Sequence, residues 1–272
     1  MEFKAFDCKV ENKVATLALD RPSKANSLDI AAWEEMQSAF EYLDTRSDVR
    51  VVILKGNGEH FCAGMDLSAL MSLQSEDEKC DARKRDNIRK FILKIQDTIN
   101  AIERCSVPVI AAIHGGCIGG GVDIVTACDM RFATDDAYFT IKEVDLGIVA
   151  DLGTLQRLPT IIHPGIVAEL AFTGRKFSGL EAQEIFFVNK SFKSSETLYS
   201  YVDQIATNIA SKSPLVIRGI KEMLLYKRDH SVRDSLDYMA SYNAAMLLSD
   251  DLQESFMAYT AKRQPQYKDL IK

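Results

Sequence analysis

Apolar residues recur along this chain in two rhythms. Val14–Leu19, Val51–Leu54 and Val107–Ile113 are short, nearly continuous apolar runs that give way to turn-forming residues, which predicts buried strands. Between them, Trp33, Met36, Phe40 and Leu43 fall three and four residues apart, and so do Ile88, Phe91, Ile92, Ile95, Ile99 and Ile102. These predict helices with one apolar face, Trp33 belonging to the core. Ser27 is the expected cap of the first helix. The charge-dense stretch Ser75 to Lys90 reads as a solvated helix or a mobile loop. Met130–Ala133 and Tyr138–Ile141 read as further short strands, and Val122–Cys128 as a helix. Beyond about residue 155 the rhythm is helical, with a capping box at Ser178 and Glu181 and a Ser213 cap followed by Pro214. Strands alternating with helices predict an α/β fold with crossover connections. Residues 1–205 are expected to form its core and 206–272 a C-terminal helical segment, with a soft boundary near 205–212.

Composition narrows the class. A chain of 272 residues suits one large domain, and 47% hydrophobic with 26% charged residues is ordinary for a globular protein. Lys and Arg number 33 against 39 Asp and Glu, a net charge of -6. That makes nucleic acid or an anionic membrane an unfavourable main partner, although a local basic cluster can still hold a small anion. No apolar stretch is long enough to span a bilayer. The N-terminal segment lacks a secretory pattern and the tail lacks a Ser-Lys-Leu address, so a cytoplasmic setting is expected, with mitochondrial or peroxisomal ones left open. Six cysteines without a C-x-x-C pair suggest reduced thiols, mostly core residues. No H-E-x-x-H or cysteine cluster suggests a metal.

The glycine-rich run Gly115–Gly121 follows a strand and precedes a helix. It fits neither G-x-G-x-x-G nor the Gly-Lys-Ser/Thr of a phosphate loop. Glycines there let a backbone come close to something, and a helix start leaves N–H groups unpaired. A second loop, Gly58–Gly64, also follows a strand and could offer another N–H near Ala63 and Gly64. Two backbone donors from separate loops are what an enolate or tetrahedral oxyanion needs. Tight strand–helix packing without a ligand is the competing reading. Within the same loop, His60 and Cys62 lack a third orienting group for thiol catalysis, and His114 reads as structural.

Three acids follow: Asp123 in the first helical turn after the glycines, Glu143 after a strand, and Asp151 between Ala150 and Leu152. Burial and neighbouring carboxylates both raise a carboxyl pKa, which suits general acid–base work. Taken singly, each could equally be a surface acid or a helix cap.

Phe61-Cys-Ala-Gly-Met-Asp66, His114-Gly-Gly-Cys-Ile-Gly-Gly-Gly-Val-Asp123 and Gly153-Thr-Leu-Gln-Arg-Leu-Pro159 together resemble the crotonase (enoyl-CoA hydratase/isomerase) superfamily, over nearly the whole chain. The resemblance implies a spiral of βαβ-type units with a C-terminal helical trimerisation region, a homotrimer or homohexamer, and an acyl-CoA thioester as substrate. Within the superfamily, the acids at 123, 143 and 151 are similar to those of the Δ3,5-Δ2,4-dienoyl-CoA isomerases. The resemblance then implies Asp151 as the base at C2, Glu143 as the acid at C6 and Asp123 as a group that tunes them. It implies the N–H groups of Ala63 and Gly120 as an oxyanion hole, with no metal or redox cofactor. Gly64, Met65 and Asp66 would lie along the substrate. Lys24, Lys262 and Tyr267 would meet the phosphates and adenine of CoA, the tail serving a neighbouring subunit. Two alternatives stay open: a hydratase or Δ3,Δ2-enoyl isomerase of the same superfamily, and a non-catalytic or RNA-binding member.

Overall fold

The computed structural model describes residues 3–72 and 80–271. The chain begins with a hairpin of β1 (Phe6–Glu11) and β2 (Val14–Leu19). α1 (Ile30–Thr45) and β3 (Val51–Gly56) follow, then α2 (Leu67–Ser72), α3 (Asp81–Arg104) and β4 (Val109–Ile113). Next come β5 (Gly116–Ile118), α4 (Gly120–Ala127), β6 (Met130–Thr134) and β7 (Tyr138–Thr140). The remainder comprises α5 (Thr154–Arg157), α6 (Pro164–Thr173), β8 (Phe177–Ser178), α7 (Gly179–Glu184), β9 (Lys190–Phe192) and α8 (Ser195–Ala210). α9 (Pro214–Tyr226), α10 (Val232–Met246) and α11 (Asp250–Thr260) end the chain.

Six strands form one sheet in the order β1-β2-β3-β4-β6-β9, and β5-β7-β8 form a smaller one. From β2 to β9 the large sheet is parallel. Parallel neighbours need crossovers, and α1 and α3 supply the first two. This is the expected α/β architecture of βαβ-type units. Both faces of the sheet are covered, which is why its central strands read as unbroken apolar runs rather than alternations. Val52, Leu54, Val109, Ala111 and Ile113 enter the main core with Trp33, Met36 and Phe40 of α1 and Ile95, Ile99 and Ile102 of α3. Val51, Ile53, Ile110 and Ala112 face the other way, against Leu198, Val202, Ala206 and Ala210 of α8.

Residues 205 and 206 lie inside α8, which packs on the sheet, and residues 211–213 connect it to α9. Two polar hubs tie the last helices to the core. Arg50, 5% exposed, donates to the Ala210 carbonyl at 2.9 Å and to the Tyr267 carbonyl at 2.7 Å, and pairs with Asp269 at 2.8 Å. Lys221 on α9 is equally buried and pairs with Asp129 at 2.9 Å.

Some local expectations shift. The cap of α1 is Asp29, whose carboxylate accepts the Ala32 N–H, rather than Ser27. Residues 75–79 of the charge-dense stretch lie outside the described residues, and from Asp81 onward it is the start of α3. Ser178 and Ser213 cap as expected, accepting from the N–H groups of Glu181 and Val216. Among the described residues, no helix is long and apolar enough to cross a membrane.

Candidate active site

Parallel strands leave their loops at the same edge of a sheet, and in open α/β folds ligands bind beyond those strand ends. β3 and β4 are neighbours. The loops after them, 57–66 and 114–119, therefore start side by side and zip together. The N–H of Phe61 donates to His114, that of Cys62 to Gly116, and that of Ile118 back to Cys62. A third loop, 20–28, is stapled on by Asn26. This fully buried side chain donates to the carbonyls of Asn57 at 2.9 Å and His60 at 2.8 Å, and accepts the Arg21 N–H at 2.8 Å. The imidazoles join the same scaffold. His60 accepts the Gly116 N–H, and His114 bridges the Gly58 carbonyl and the Tyr199 hydroxyl. Burial pushes the Cys62 thiol up to about 12, which removes it as a nucleophile.

A cavity of about 450 Å³ opens where these loops meet α3. Ile88, Phe91 and Ile92 of α3 line it, together with Leu146, Ile148 and Leu152. Ala63, Gly64, Met65 and Gly120 line it, and so do Glu143 and Asp151. Two of the three expected acids thus share one cavity. The third, Asp123, lies behind it, fully buried in the first turn of α4. One of its oxygens accepts the Thr154 N–H at 2.6 Å, and the other has no partner among the described residues.

Each acid is raised from its ordinary range. Burial lifts Asp123 to about 6, against the Thr154 hydrogen bond that holds it down. Burial lifts Glu143 to about 7, and the charges of Asp123 and Asp151 add to this. One Glu143 oxygen is buried without a partner among the described residues. Partial burial raises Asp151 as well, although the residue stays open to solvent. Glu143 thus keeps its proton in a good share of molecules near neutral pH, and Asp151 lines the same cavity. The site therefore offers a carboxyl able to donate a proton beside a second acid.

The turn before α4 fits Glu143 closely. Gly119 has φ 51 and ψ -117, a conformation hostile to side chains, and a methyl there would lie 3.1 Å from a Glu143 oxygen. Beneath the next residue, a methyl on Gly120 would meet the Trp33 ring at 3.1 Å. The N–H of Gly120, at the helix start, donates to no described residue.

Ala63 departs from expectation. Its N–H donates to the Ala25 carbonyl at 3.0 Å and is not available to a ligand. In that loop the N–H of Met65, a residue lining the cavity, has no partner among the described residues. Leu28 pairs with the flanking peptides, donating to the Gly64 carbonyl and accepting the Asp66 N–H, which leaves Met65 without a described partner. No local sequence signal separates one N–H of this loop from the next, because the choice is made by the Ala25 and Leu28 backbones.

The other expected contacts divide. Gly64 packs at the Gly120 nitrogen, 3.0 Å from where its Cβ would be. Asp66 accepts from the N–H and hydroxyl of Ser68, which holds its carboxyl below the usual range, and lies 3.8 Å from the Lys24 ammonium. Lys262 and Tyr267 lie outside this cavity. Lys262 is exposed after α11, and the Tyr267 hydroxyl meets Ser255.

The loop bearing Asp151 is held from three sides, by residues that the sequence reading did not single out. Gln96 of α3 donates to the Asp151 carbonyl at 2.6 Å. Thr154 is tied to Asp123. Arg157 bonds Asn100 at 2.6 Å and Glu103 at 2.8 Å on α3.

The chain is similar throughout to known proteins. A family model described as enoyl-CoA hydratase/isomerase matches residues 9–270. The peroxisomal Δ3,5-Δ2,4-dienoyl-CoA isomerase of Arabidopsis thaliana is 48% identical over 262 residues, 96% of this chain and 94% of that protein. The mitochondrial enzyme of the same name from Mus musculus is 44% identical over 258 residues, 93% of this chain and 78% of the other. The crystal structure of an enoyl-CoA hydratase from Bacillus anthracis superposes with a TM-score of 0.88 at 32% identity, covering 97% of this chain and 99% of the other. The chain belongs to the enoyl-CoA hydratase/isomerase family.

Proposed function

We propose that the protein converts 3,5-dienoyl-CoA to 2,4-dienoyl-CoA. The observation that carries this is the presence of Glu143 and Asp151 together in the lining of one apolar cavity that Met65 and Gly120 also line. The identity to two proteins named dienoyl-CoA isomerases supports it.

In this reading Asp151 takes a proton from C2, next to the thioester. The electron pair moves into the chain and charge grows on the thioester oxygen, where the N–H groups of Gly120 and Met65 hold it. Removing one such donor typically costs about 2.7–4 kcal/mol of barrier. Glu143, raised to about 7 and so still partly protonated at neutral pH, gives its proton to C6, which leaves double bonds at C2 and C4. C2 and C6 are about 5 Å apart by ordinary bond lengths, so two acids serve the two ends better than one. Asp123 tunes Glu143 and holds Thr154. The reaction moves protons only, so nothing beyond the CoA of the substrate takes part.

Lys24, beside the Asp66 loop, is the proposed contact for a CoA phosphate. Lys262 and Tyr267 serve a neighbouring subunit in a homotrimer or a homohexamer. The six thiols, none in a disulfide, suit a reducing, cytosol-like setting.

The test is spectrophotometric. A 3,5-dienoyl-CoA gains the absorbance of a 2,4-diene, and a 2-enoyl-CoA is hydrated slowly or not at all. Asp151→Asn abolishes the diene signal. Turnover that survives this substitution, or faster hydration than isomerisation, overturns the reading. So does RNA affinity with no affinity for CoA.

A further inference from the structure

Behind the Asp151 loop lies a second, polar cavity of about 430 Å³, with Gln96, Glu103, Gly153, Arg157 and Arg228 in its lining. The Arg157 guanidinium fills the space beneath Gly153. A methyl group on that glycine would land 1.8 Å from an Arg157 nitrogen, and the φ of +129 there strains any side chain. The same guanidinium lies 3.5 Å from the Leu152 carbonyl. Its other nitrogen bonds Asn100 and Glu103. Glu103 also pairs with Arg228, just beyond the end of α9, so one carboxylate joins α3, the end of α5 and the C-terminal helices.

We propose that Arg157 is a positioning residue: braced against Glu103 and Asn100, its guanidinium sets the 151–154 loop so that Asp151 faces the cavity. The inference rests on the isomerase reading for its kinetic consequence and on the loop geometry for its structural one. A buried ion pair is weak evidence for stability, because apolar residues of similar size often replace one without loss. Removing Arg157, however, takes away one of the two cations on Glu103 and leaves it Arg228 alone, so the carboxylate is under-compensated. This asymmetry separates positioning from mere support. A misplacement of about 1 Å in a reacting group costs on the order of 10²-fold in rate.

The experiment compares wild type, Arg157→Met and the double variant Arg157→Met/Glu103→Met, all as full chains. Thermal unfolding, steady-state kinetics with a 3,5-dienoyl-CoA, and amide exchange at residues 151–153 are measured on each. Arg157→Met is expected to lower kcat by about 10²-fold with KM nearly unchanged. The double variant regains thermal stability but not kcat, and exchange in the loop stays fast in both. Recovery of kcat together with stability overturns the proposal, as does wild-type exchange in the double variant. A wild type that does not isomerise the diene counts against the proposed function alone, and loop exchange then decides this inference.

Discussion

Glu143 and Asp123 titrate close to neutrality because the fold denies them water and places them near each other. The consequence for rate has a definite sign. Activity in the proposed mechanism needs Glu143 protonated, so it falls as pH rises through about 7. Asp123 raises Glu143 through its negative charge. Asp123→Asn, which keeps an oxygen for the Thr154 N–H, is therefore expected to move the alkaline limb of the kcat profile to lower pH. A limb that stays put or moves upward means that Glu143 is not the titrating acid. Stability follows the same linkage. Between the unfolded pKa values near 4 and the folded ones near 6 and 7, the native state holds more protons than the unfolded chain. Stability contributed by these groups is thus present at acid pH and lost as pH rises through that window. Thermal melts of Asp123→Asn and Glu143→Gln at pH 5 and pH 8 should show a smaller drop than wild type. The two glycines flanking this chemistry differ in kind. Gly119→Ala meets the Glu143 carboxylate and a hostile φ, so it is expected to lower kcat more than it lowers the melting temperature.

At the scale of elements, the loops matter more than the strands that launch them. Asn26 is buried in a left-handed conformation, φ 56, and its side chain makes three hydrogen bonds, one within its own loop and two to the 57–66 loop. Asn26→Ala leaves two carbonyls and one N–H without those bonds. It is expected to cost at least about 1–3 kcal/mol in urea unfolding, since each buried unpaired group costs that order. A cost within about 0.5 kcal/mol, the range of an ordinary surface change, means water takes over the role. This level also marks how far the sequence could be read. β2, β3 and β4 were legible because burial on both faces leaves continuous apolar runs. β1 was not singled out, although Phe6, Cys8 and Val10 alternate with polar residues. Its hairpin turns through Asn12 and Lys13, both with positive φ, without the glycine that usually signals such a turn. β8 and β9, of two and three residues, are too short to carry a period. The acids and the glycine run were legible as chemistry. The change from Ala63 to Met65 was not, because it depends on which backbone carbonyl lies opposite, and that is settled by tertiary packing. The Asp151 brace was hidden for the same reason: Gln96, Glu103 and Arg157 come together only when α3 crosses the sheet.

On the scale of the whole molecule, the α/β core closes on itself and the last three helices do not. α10 has no buried residue at all. Leu224, Leu236, Leu248 and Phe256 are each more than 60% exposed. Apolar surface in that quantity marks an interaction site. Sedimentation of the full chain is expected to give a trimer or a multiple of it, and Leu236→Glu/Leu248→Glu to shift it toward monomer. A monomeric wild type at micromolar concentration removes the oligomer from the proposal, and with it the route by which Lys262 and Tyr267 reach a substrate. Arg50 links the core to the segment that follows α8. Its guanidinium ties the start of β3 to the connector and the tail at once.

One ring deserves an optical reading. Trp33 is the only tryptophan in the chain, and its indole is buried against the Gly120 backbone, with its ring nitrogen unpartnered among the described residues. The protein thus carries its single tryptophan directly under one of the two amides assigned to the thioester oxygen, where excitation selective for indole reads it alone. Titration with a CoA thioester should shift its emission or intensity without any added label, and free CoA, which lacks the carbonyl, should do so less. Stopped-flow recording of that signal would time the arrival of the carbonyl separately from the appearance of the diene.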